Sequence, residues 1–434
     1  DLHSFPTRRS SDLALNAVNA EPSLRHDKRA IFDRFARYMP AGFYYKTFIR
    51  PTWEAFEGTI RKAAGLGRNT PEPDRRHYEQ QAARCDLLVV GAGPTGLAAA
   101  LAGAATGQSV WLVEQESLPG GQLLWRDEQV AGQPGHAWAA EALRRLRALP
   151  NVTVKLGTQA AAYYDHNTLA LTERLADPAP GWGPERLWLL RAGRVVLATG
   201  ALERPIAFPD NDRPGVMLAS AAATYVGRWG VLPGRRVVLL TNNDDGYASA
   251  LVLRRAGAEV GVVDVRPQVE GALIKAAALA GIEVLPGRAL LGVEGVNAVH
   301  GVRIGAADTS DPKAKGESFA CDLVAVSGGW SPAAHLYSQS GGKLAWDAGL
   351  VCFRPARSAQ AEVSAGAANA AFDLAAALAE GHAAGGGQGA PPAAGRTDPA
   401  YRAVAWWRLP VKGVRQWIDL QQDLPAGGAV PFRD

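Results

Sequence analysis

The chain has 434 residues, 47% of them hydrophobic and 20% charged, which gives two or three globular domains room for their own cores and excludes a disordered or fibrous class. The formal net charge of +4 is small, and its arginines are spread along the sequence without a dense basic block, so nucleic acid is not an expected partner. No apolar run reaches the ~18 residues of a bilayer span and no signal peptide opens the chain, so no membrane contact and a cytoplasmic location are expected.

Residues 1–13, DLHSFPTRRSSDL, lack an initiating Met and any clear period, and are read as a non-native segment outside the fold. Residues 14–83 form an N-terminal remnant and connector. In it, IFDRFARYM (31–39) and TWEAFEGTIRKAA (52–64) carry apolar residues at helical spacing, while PAGFYYKTF (40–48) reads as extended or looped. This part is too short to bury its own aromatics and is expected to pack on a neighbour. The main domain begins after the breaker PEPDRR (71–76) with CDLLVV (85–90), a buried parallel strand by its composition.

GAGPTG (91–96), an Ala-rich helix and the strand QSVWLVE (108–114) follow, a strand–turn–helix–strand unit. From Asn151 to Gly200 the alternation suggests a β-meander turning at Asp165-His166-Asn167. A second such unit spans Arg235–Arg266, then come the strand-like IEVLPGRALLGVEG (282–295) and CDLVAVSGGW (321–330), a helix at 371–382, and a Gly/Pro linker at 385–395. The expected fold is α/β: two nested Rossmann-like dinucleotide-binding domains of the pyridine nucleotide-disulfide oxidoreductase-like type. The first comprises 84–210 and 322–384, the second is inserted at 211–321, and 385–434 is a linker and the start of a truncated C-terminal domain.

The chemistry is concentrated at GAGPTG. Gly91 permits a tight turn, Gly93 lets backbone approach a pyrophosphate, and Gly96 lets the helix close on the strand. Pro94 and Thr95 begin the helix, whose N-terminal N–H groups and dipole favour an anion. Glu114, followed by Gln115, ends the second strand where an acid accepts hydrogen bonds from a ribose and repels a 2′-phosphate, which disfavours NADP. Gly121, Gln122 and Leu123, after Gly120, read as a turn skirting the cofactor. Thr199 and Gly200 close a strand returning to it, and Gly329 ends a late strand expected there too.

The second unit has Thr241-Asn242-Asn243-Asp244-Asp245-Gly246 in place of cradling glycines. Two carboxylates would repel a pyrophosphate, so this site is either empty or binds something other than a dinucleotide. The three cysteines, Cys85, Cys321 and Cys352, form no CxxC pair. This excludes a redox dithiol, a zinc site and a disulfide scaffold; Cys85 and Cys321 read as core fillers, and no metal site is expected.

PAGFYYKTF (40–48), TGALERPIAFPDNDRPGVMLASAAATY (199–225), TNNDDGYASA (241–250) and HLYSQSGGKLAWD (335–347) are more specific than the glycine motif. On these strings the chain, from about Pro22 to His382, resembles the α subunits of heterotetrameric sarcosine oxidases; opine- and proline-dehydrogenase-type subunits and cyanide-forming glycine oxidases are broader relatives. The resemblance implies NAD held in the first domain without an established hydride-transfer role, substrate oxidation at flavin (FMN/FAD) on a β subunit, and small γ and δ subunits. It further implies oxidation of sarcosine to glycine with formaldehyde or methylene-tetrahydrofolate and hydrogen peroxide, the tetrahydrofolate site lying in a domain absent here. The sequence departs from the pattern at both ends: most of the upstream ferredoxin-like portion is missing. VKGVRQWIDLQQDLP (411–425) resembles only the lead-in to the folate domain.

The motif alone leaves NAD and FAD open. A self-contained FAD-dependent NAD(P)H oxidoreductase, an opine/proline dehydrogenase-type subunit and a scaffold without cofactor are the alternatives. No catalytic residue is assigned. His136, His166 and His335 read as structural or exposed, Asp244-Asp245 as a cap for the helix beginning at Tyr247, and Lys46 as a surface or packing residue that could reach a flavin phosphate. Trp406 and Trp407 are expected to bury against an absent domain or partner.

Overall fold

The computed structural model describes residues 21–23, 26–29, 31, 47–48, 50–63, 73–395, 401–411, 413–419 and 424–425. Lys46 and residues 1–13 therefore lie outside the described residues. Helix α1 (Glu54–Ala63) precedes the main body, with Glu54 and Glu57 in its first turn and Arg61 and Lys62 in its last, as the helix dipole favours.

The first domain begins with β1 (His77–Val90), α2 (Pro94–Ala105) and β2 (Val110–Glu114). It continues through α3 (Gly135–Arg147), β3 (Val152–Leu156), β4 (Thr158–Tyr164), β5 (Thr168–Arg174) and β6 (Trp182–Leu197). The sheet order is β3-β2-β1-β6-β5-β4. β1 runs parallel to β2 and β6, and β3 is parallel to β2, so only β4, β5 and β6 form the expected antiparallel meander. β1 is also longer than the apolar run that announces it: His77–Arg84 pairs along β6 although alternate side chains face solvent. Half-buried pairing of this kind carries less sequence signal than the run Leu87–Val90, buried on both faces.

Strand β7 (Ala201–Glu203) leaves this domain, and β8 (Val216–Leu218), α4 (Ala219–Trp229), β9 (Arg236–Thr241), α5 (Gly246–Arg255) and β10 (Glu259–Asp264) build the second. α6 (Ala272–Leu279) and β11 (Glu283–Pro286) follow, with β12 (Arg288–Glu294), β13 (Gly301–Ala306) and β14 (Glu317–Ala320) as an antiparallel three-stranded layer. β15 (Leu323–Ser327) corrects the expected boundary at 322: it pairs in parallel with β8 and β9 in the sheet β8-β15-β9-β10-β11, not in the first domain. A short apolar run suits any buried parallel strand, and only tertiary partners decide which sheet receives it.

The return to the first domain is β16 (Trp330–Pro332), antiparallel to β7. After α7 (His335–Gln339) and the hairpin β17 (Lys343–Asp347) and β18 (Cys352–Arg357), β19 (Glu362–Ser364) joins β6 in parallel. α8 (Leu374–Ala384) starts three residues later than the helix read from sequence, because the Asp373 side chain caps it by accepting from the Ala376 amide at 2.8 Å.

One core packs α2, α3 and α8 on β1 and β2 through Leu87, Val89, Leu97, Leu112, Leu146 and Leu378. α8 approaches α2 backbone to backbone: a Cβ on Gly381 would stand 2.2 Å from the Thr95 carbonyl oxygen. The segment 385–395, expected as a linker, is docked; Gly395 donates to the Gln129 carbonyl and Ala131 to that of Ala393. All three cysteines are buried and free, and burial pushes the Cys85 thiol up to about 12 and that of Cys321 to about 11. Among the described residues, no helix is long and apolar enough to cross a membrane, and no group of three His, Cys, Asp or Glu side chains could hold a metal ion.

Candidate functional site: a cleft at the strand ends of the first domain

A cleft of about 570 Å³ opens at the carboxyl ends of β1 and β6, where open parallel sheets place ligands. Gly91 has φ +101°, and a Cβ there would stand 2.3 Å from the Ala198 carbonyl oxygen, so only glycine fits between these strands. Gly96 is equally constrained, its missing Cβ 1.8 Å from the Gly91 carbonyl oxygen. It sets how closely α2 approaches the turn and does not itself line the cleft. Gly93 differs from both. Its φ is −70°, and a Cβ would meet nothing within 4 Å, so its bare backbone faces open space. Gly121, at φ +53°, brings a second bare wall within reach of the Gly93 Cα.

α2 begins beside this opening without a side-chain cap, with Pro94 in its first turn and Thr95 buried behind it. The amides of a helix's first turn have no intrahelical acceptor, and they carry the positive end of the dipole. The Glu114 carboxylate accepts from the Ala92 amide at 2.6 Å and from the Glu116 amide at 2.9 Å, which fixes it at the rim with lone pairs to spare. Thr199 donates its hydroxyl to the Ala333 carbonyl at 2.8 Å, and Ala333 donates back to that of Gly200, tying the β6 end to the segment before α7.

Of the residues read from sequence, Gly91, Gly93, Pro94, Thr95, Glu114, Gln115, Gly121, Gln122, Leu123, Thr199 and Gly200 surround this one cleft. Gly329 does not, which corrects its expected place. At φ +85° it lies beyond the second sheet, where a Cβ would stand 2.8 Å from both the Arg204 guanidinium and the Tyr401 hydroxyl.

The sequence reading missed Arg126, Glu128, Thr158, Gln159 and Gln339, which the fold brings to the lining from separate segments. His335, isolated in sequence and exposed as expected, also lines it, whereas His136 and His166 are exposed elsewhere. Glu114 and Glu116 both lie on the cleft, Glu116 paired with Arg228 at 3.2 Å, so the Glu114 carboxylate is the one left to oppose a 2′-phosphate. Arg126 is committed across the domain boundary: it pairs with Asp245 and lies 3.6 Å from Glu128, with the Arg126 and Asp245 side chains only 8% and 13% exposed.

Asp244 and Asp245 do not cap α5, another correction. Asp244 pairs with Arg266 at 2.6 Å, while Asp245 takes Arg126 and the Trp330 indole N–H. Buried guanidinium groups outcompete a helix amide for these carboxylates. Trp406 and Trp407 bury against this chain itself: Trp406 packs on the second-domain core, and Trp407 donates to the Gly328 carbonyl at 3.1 Å beneath the Arg204 guanidinium.

The glycine walls, uncapped helix start and rim carboxylate fit a dinucleotide, the pyrophosphate opposite Gly93 and α2 and a ribose beside Glu114. Residues 85–373 match the family described as pyridine nucleotide-disulphide oxidoreductase. The chain is 38% identical over 95% of its length to the sarcosine oxidase alpha subunit of Rhizobium meliloti (strain 1021), and it spans 42% of that relative. It is 35% identical over 83% of its length to the protein of the same name from Corynebacterium sp. (strain P-1), spanning 39% of it. An opine oxidase subunit of Agrobacterium tumefaciens (strain Ach5) is 33% identical over 36% of this chain, which covers 31% of it. Among solved structures, T. acidophilum thioredoxin reductase superimposes with a TM-score of 0.53 at 18% identity, covering 70% of this chain and 96% of that one, a likeness of fold. By the family match and by the cleft it is built around, this chain belongs to the pyridine nucleotide-disulphide oxidoreductase family and has the flavin- or pyridine-nucleotide-binding fold of its first domain.

Proposed function

We propose that this chain is the nucleotide-holding part of the α subunit of a multi-subunit flavoprotein amine oxidase of the sarcosine oxidase type, and that its first domain retains NAD. In this reading the secondary amine is oxidised at flavin on a partner β subunit. The small γ and δ subunits and a tetrahydrofolate site belong to the rest of the assembly. The observation that carries the reading is the cleft: a wall bared by Gly93 and Gly121, the α2 amides aimed at an anion, and Glu114 where a 2′-phosphate would be repelled.

The three buried, separate cysteines offer no dithiol through which this chain could relay electrons as disulfide reductases do. The residues bind and orient: the backbone around Gly93 holds the pyrophosphate, Glu114 a ribose hydroxyl, and Thr199 and Gly200 the far wall. A bound pyridine nucleotide supplies a hydride-accepting ring, and no side chain here is assigned a proton-transfer step.

The test is to denature the purified chain and identify what it releases by absorbance and mass. NAD at one per chain is expected. FAD would move the redox chemistry into this chain and favour the dehydrogenase-type reading, and no nucleotide at all would favour a scaffold.

A further inference from the structure

The second domain repeats the topology of the first: β9, a loop, α5 and β10 in parallel, with β15 on the other side of β9. By the same strand-end rule its ligand crevice lies between the β9 loop, Thr241–Gly246, and the end of β15, Ser327–Gly329. That crevice contains protein. Residues 401–409 run through it as a strap that makes isolated bridges at Ala403 and Arg408 and turns at Ala405, where Trp406 donates to the Val404 carbonyl. Asn243 pairs antiparallel with Ala403; Asp244 donates its amide to the Arg402 carbonyl at 3.0 Å, and Val404 donates to that of Asn242 at 3.0 Å. The buried Asn242 side-chain amide donates to the Val404 and Trp406 carbonyls at 2.9 and 3.0 Å. Farther on, Ala207 donates to the Trp407 carbonyl and Leu409, almost wholly buried, to that of Ala207.

The side chains that would serve a nucleotide are spent on the chain itself. Asp264 ends β10 as Glu114 ends β2, but it is fully buried, and its two oxygens accept from the Tyr247 hydroxyl at 2.8 Å and the Arg266 guanidinium at 3.0 and 2.7 Å. Asp244, whose charge would repel a pyrophosphate, meets Arg266 and the Arg402 amide instead. A peptide strand provides carbonyl oxygens for the Asn242 amide and needs no anion cradle, which is what this loop, lacking cradling glycines, is suited to.

We infer that the second domain is a peptide-strand site, permanently occupied by residues 401–409 of this chain, and that this strap bars NADH and NADPH from the crevice. The domain that repeats the dinucleotide-binding topology serves to anchor residues 401–409. The inference does not depend on which nucleotide the first cleft holds.

Two measurements on the full chain test it. Hydrogen exchange should show the Asp244, Val404 and Leu409 amides protected ~100-fold or more over an unfolded chain, as expected of a cooperatively docked strand. Val404→Pro removes one strap donor without touching the second-domain core and should lower protection at Asp244 at least ~10-fold while Leu239 in β9 is unchanged. Titration with NADH should detect no nucleotide beyond any already held in the first cleft. Unprotected strap amides in the wild type, or a second nucleotide bound per chain, would overturn the inference, whereas loss of nucleotide from the first cleft alone would sink only the functional reading above.

Discussion

Replacing Gly93 with tryptophan should separate nucleotide retention from folding. Gly93 has an extended, negative-φ conformation open to any residue, and its Cβ would meet no atom within 4 Å. The nucleotide-free protein should therefore change in stability by no more than about 0.5 kcal/mol, as for a surface substitution. The indole must instead project into the space between Gly93, Gly121 and the start of α2, where the pyrophosphate is placed. A ligand present at a hundredfold excess over its Kd stabilises the native state by about 2.7 kcal/mol, so the variant should forfeit that increment only when nucleotide is supplied. The assay pairs nucleotide release on denaturation with thermal melts of stripped protein, with and without added NAD. Stoichiometric nucleotide retained by Gly93→Trp would refute the placement of the site. So would a stripped variant several kilocalories less stable than stripped wild type.

Gly96→Ala should behave in the opposite way, because its Cβ would collide with the Gly91 carbonyl oxygen and force α2 off the sheet; a loss of about 1–3 kcal/mol in urea unfolding of the stripped protein is expected, and an unchanged midpoint would contradict it. Glu203 is buried near the charge of Asp245, and burial raises its carboxyl to about 7 despite the opposing hydrogen bond from the Ser220 amide. Since the folded value exceeds the unfolded one, the native state holds the proton more tightly; this stabilisation is complete below pH about 4.5 and is lost as pH rises through about 7, a swing on the order of 3 kcal/mol. Glu203→Gln should flatten stability between pH 5 and 8 (about one to two units either side of the site's titration), and a slope equal to wild type would count against the assignment.

Asp245→Ala takes a buried carboxylate from the Arg126 guanidinium and should cost about 3 kcal/mol. Arg255→Ala, which breaks the exposed pair with Asp127, should cost less than about 1 kcal/mol. Denaturant midpoints of the two variants should rank in that order, and the reverse order would show that the buried pair does not hold the domains together.

What could be read from sequence was what local chemistry specifies. CDLLVV, GAGPTG and VWLVE each carry their own pattern, and a strand–turn–helix unit leaves its loop few places to go. Glu114 and Gly93 therefore reach one cleft without help from distant segments. Arg126, His335 and Gln339 gave no such signal, because only packing between segments far apart in the chain brings them to the lining. β15 sits in the second domain and not the first for the same reason, and Gly329 lies beyond it. Residues 401–409 are harder still: a segment with two tryptophans, isolated bridges and no period looks like a tail, and its acceptor is a loop that reads as a failed nucleotide site. The mismatch between that loop and a phosphate was legible; what fills it was not.

The paired crossings β7 and β16 also bear on how the chain assembles. Glu203 lies opposite Trp330 and Ala201 opposite Pro332, so seen from the first domain everything between them is one oversized hairpin loop. Closing a loop becomes only slowly more costly as it lengthens, and a folded insert holds its own ends together. The first sheet can thus join β6 to β19 across a whole domain for little more entropy than a short excursion would demand.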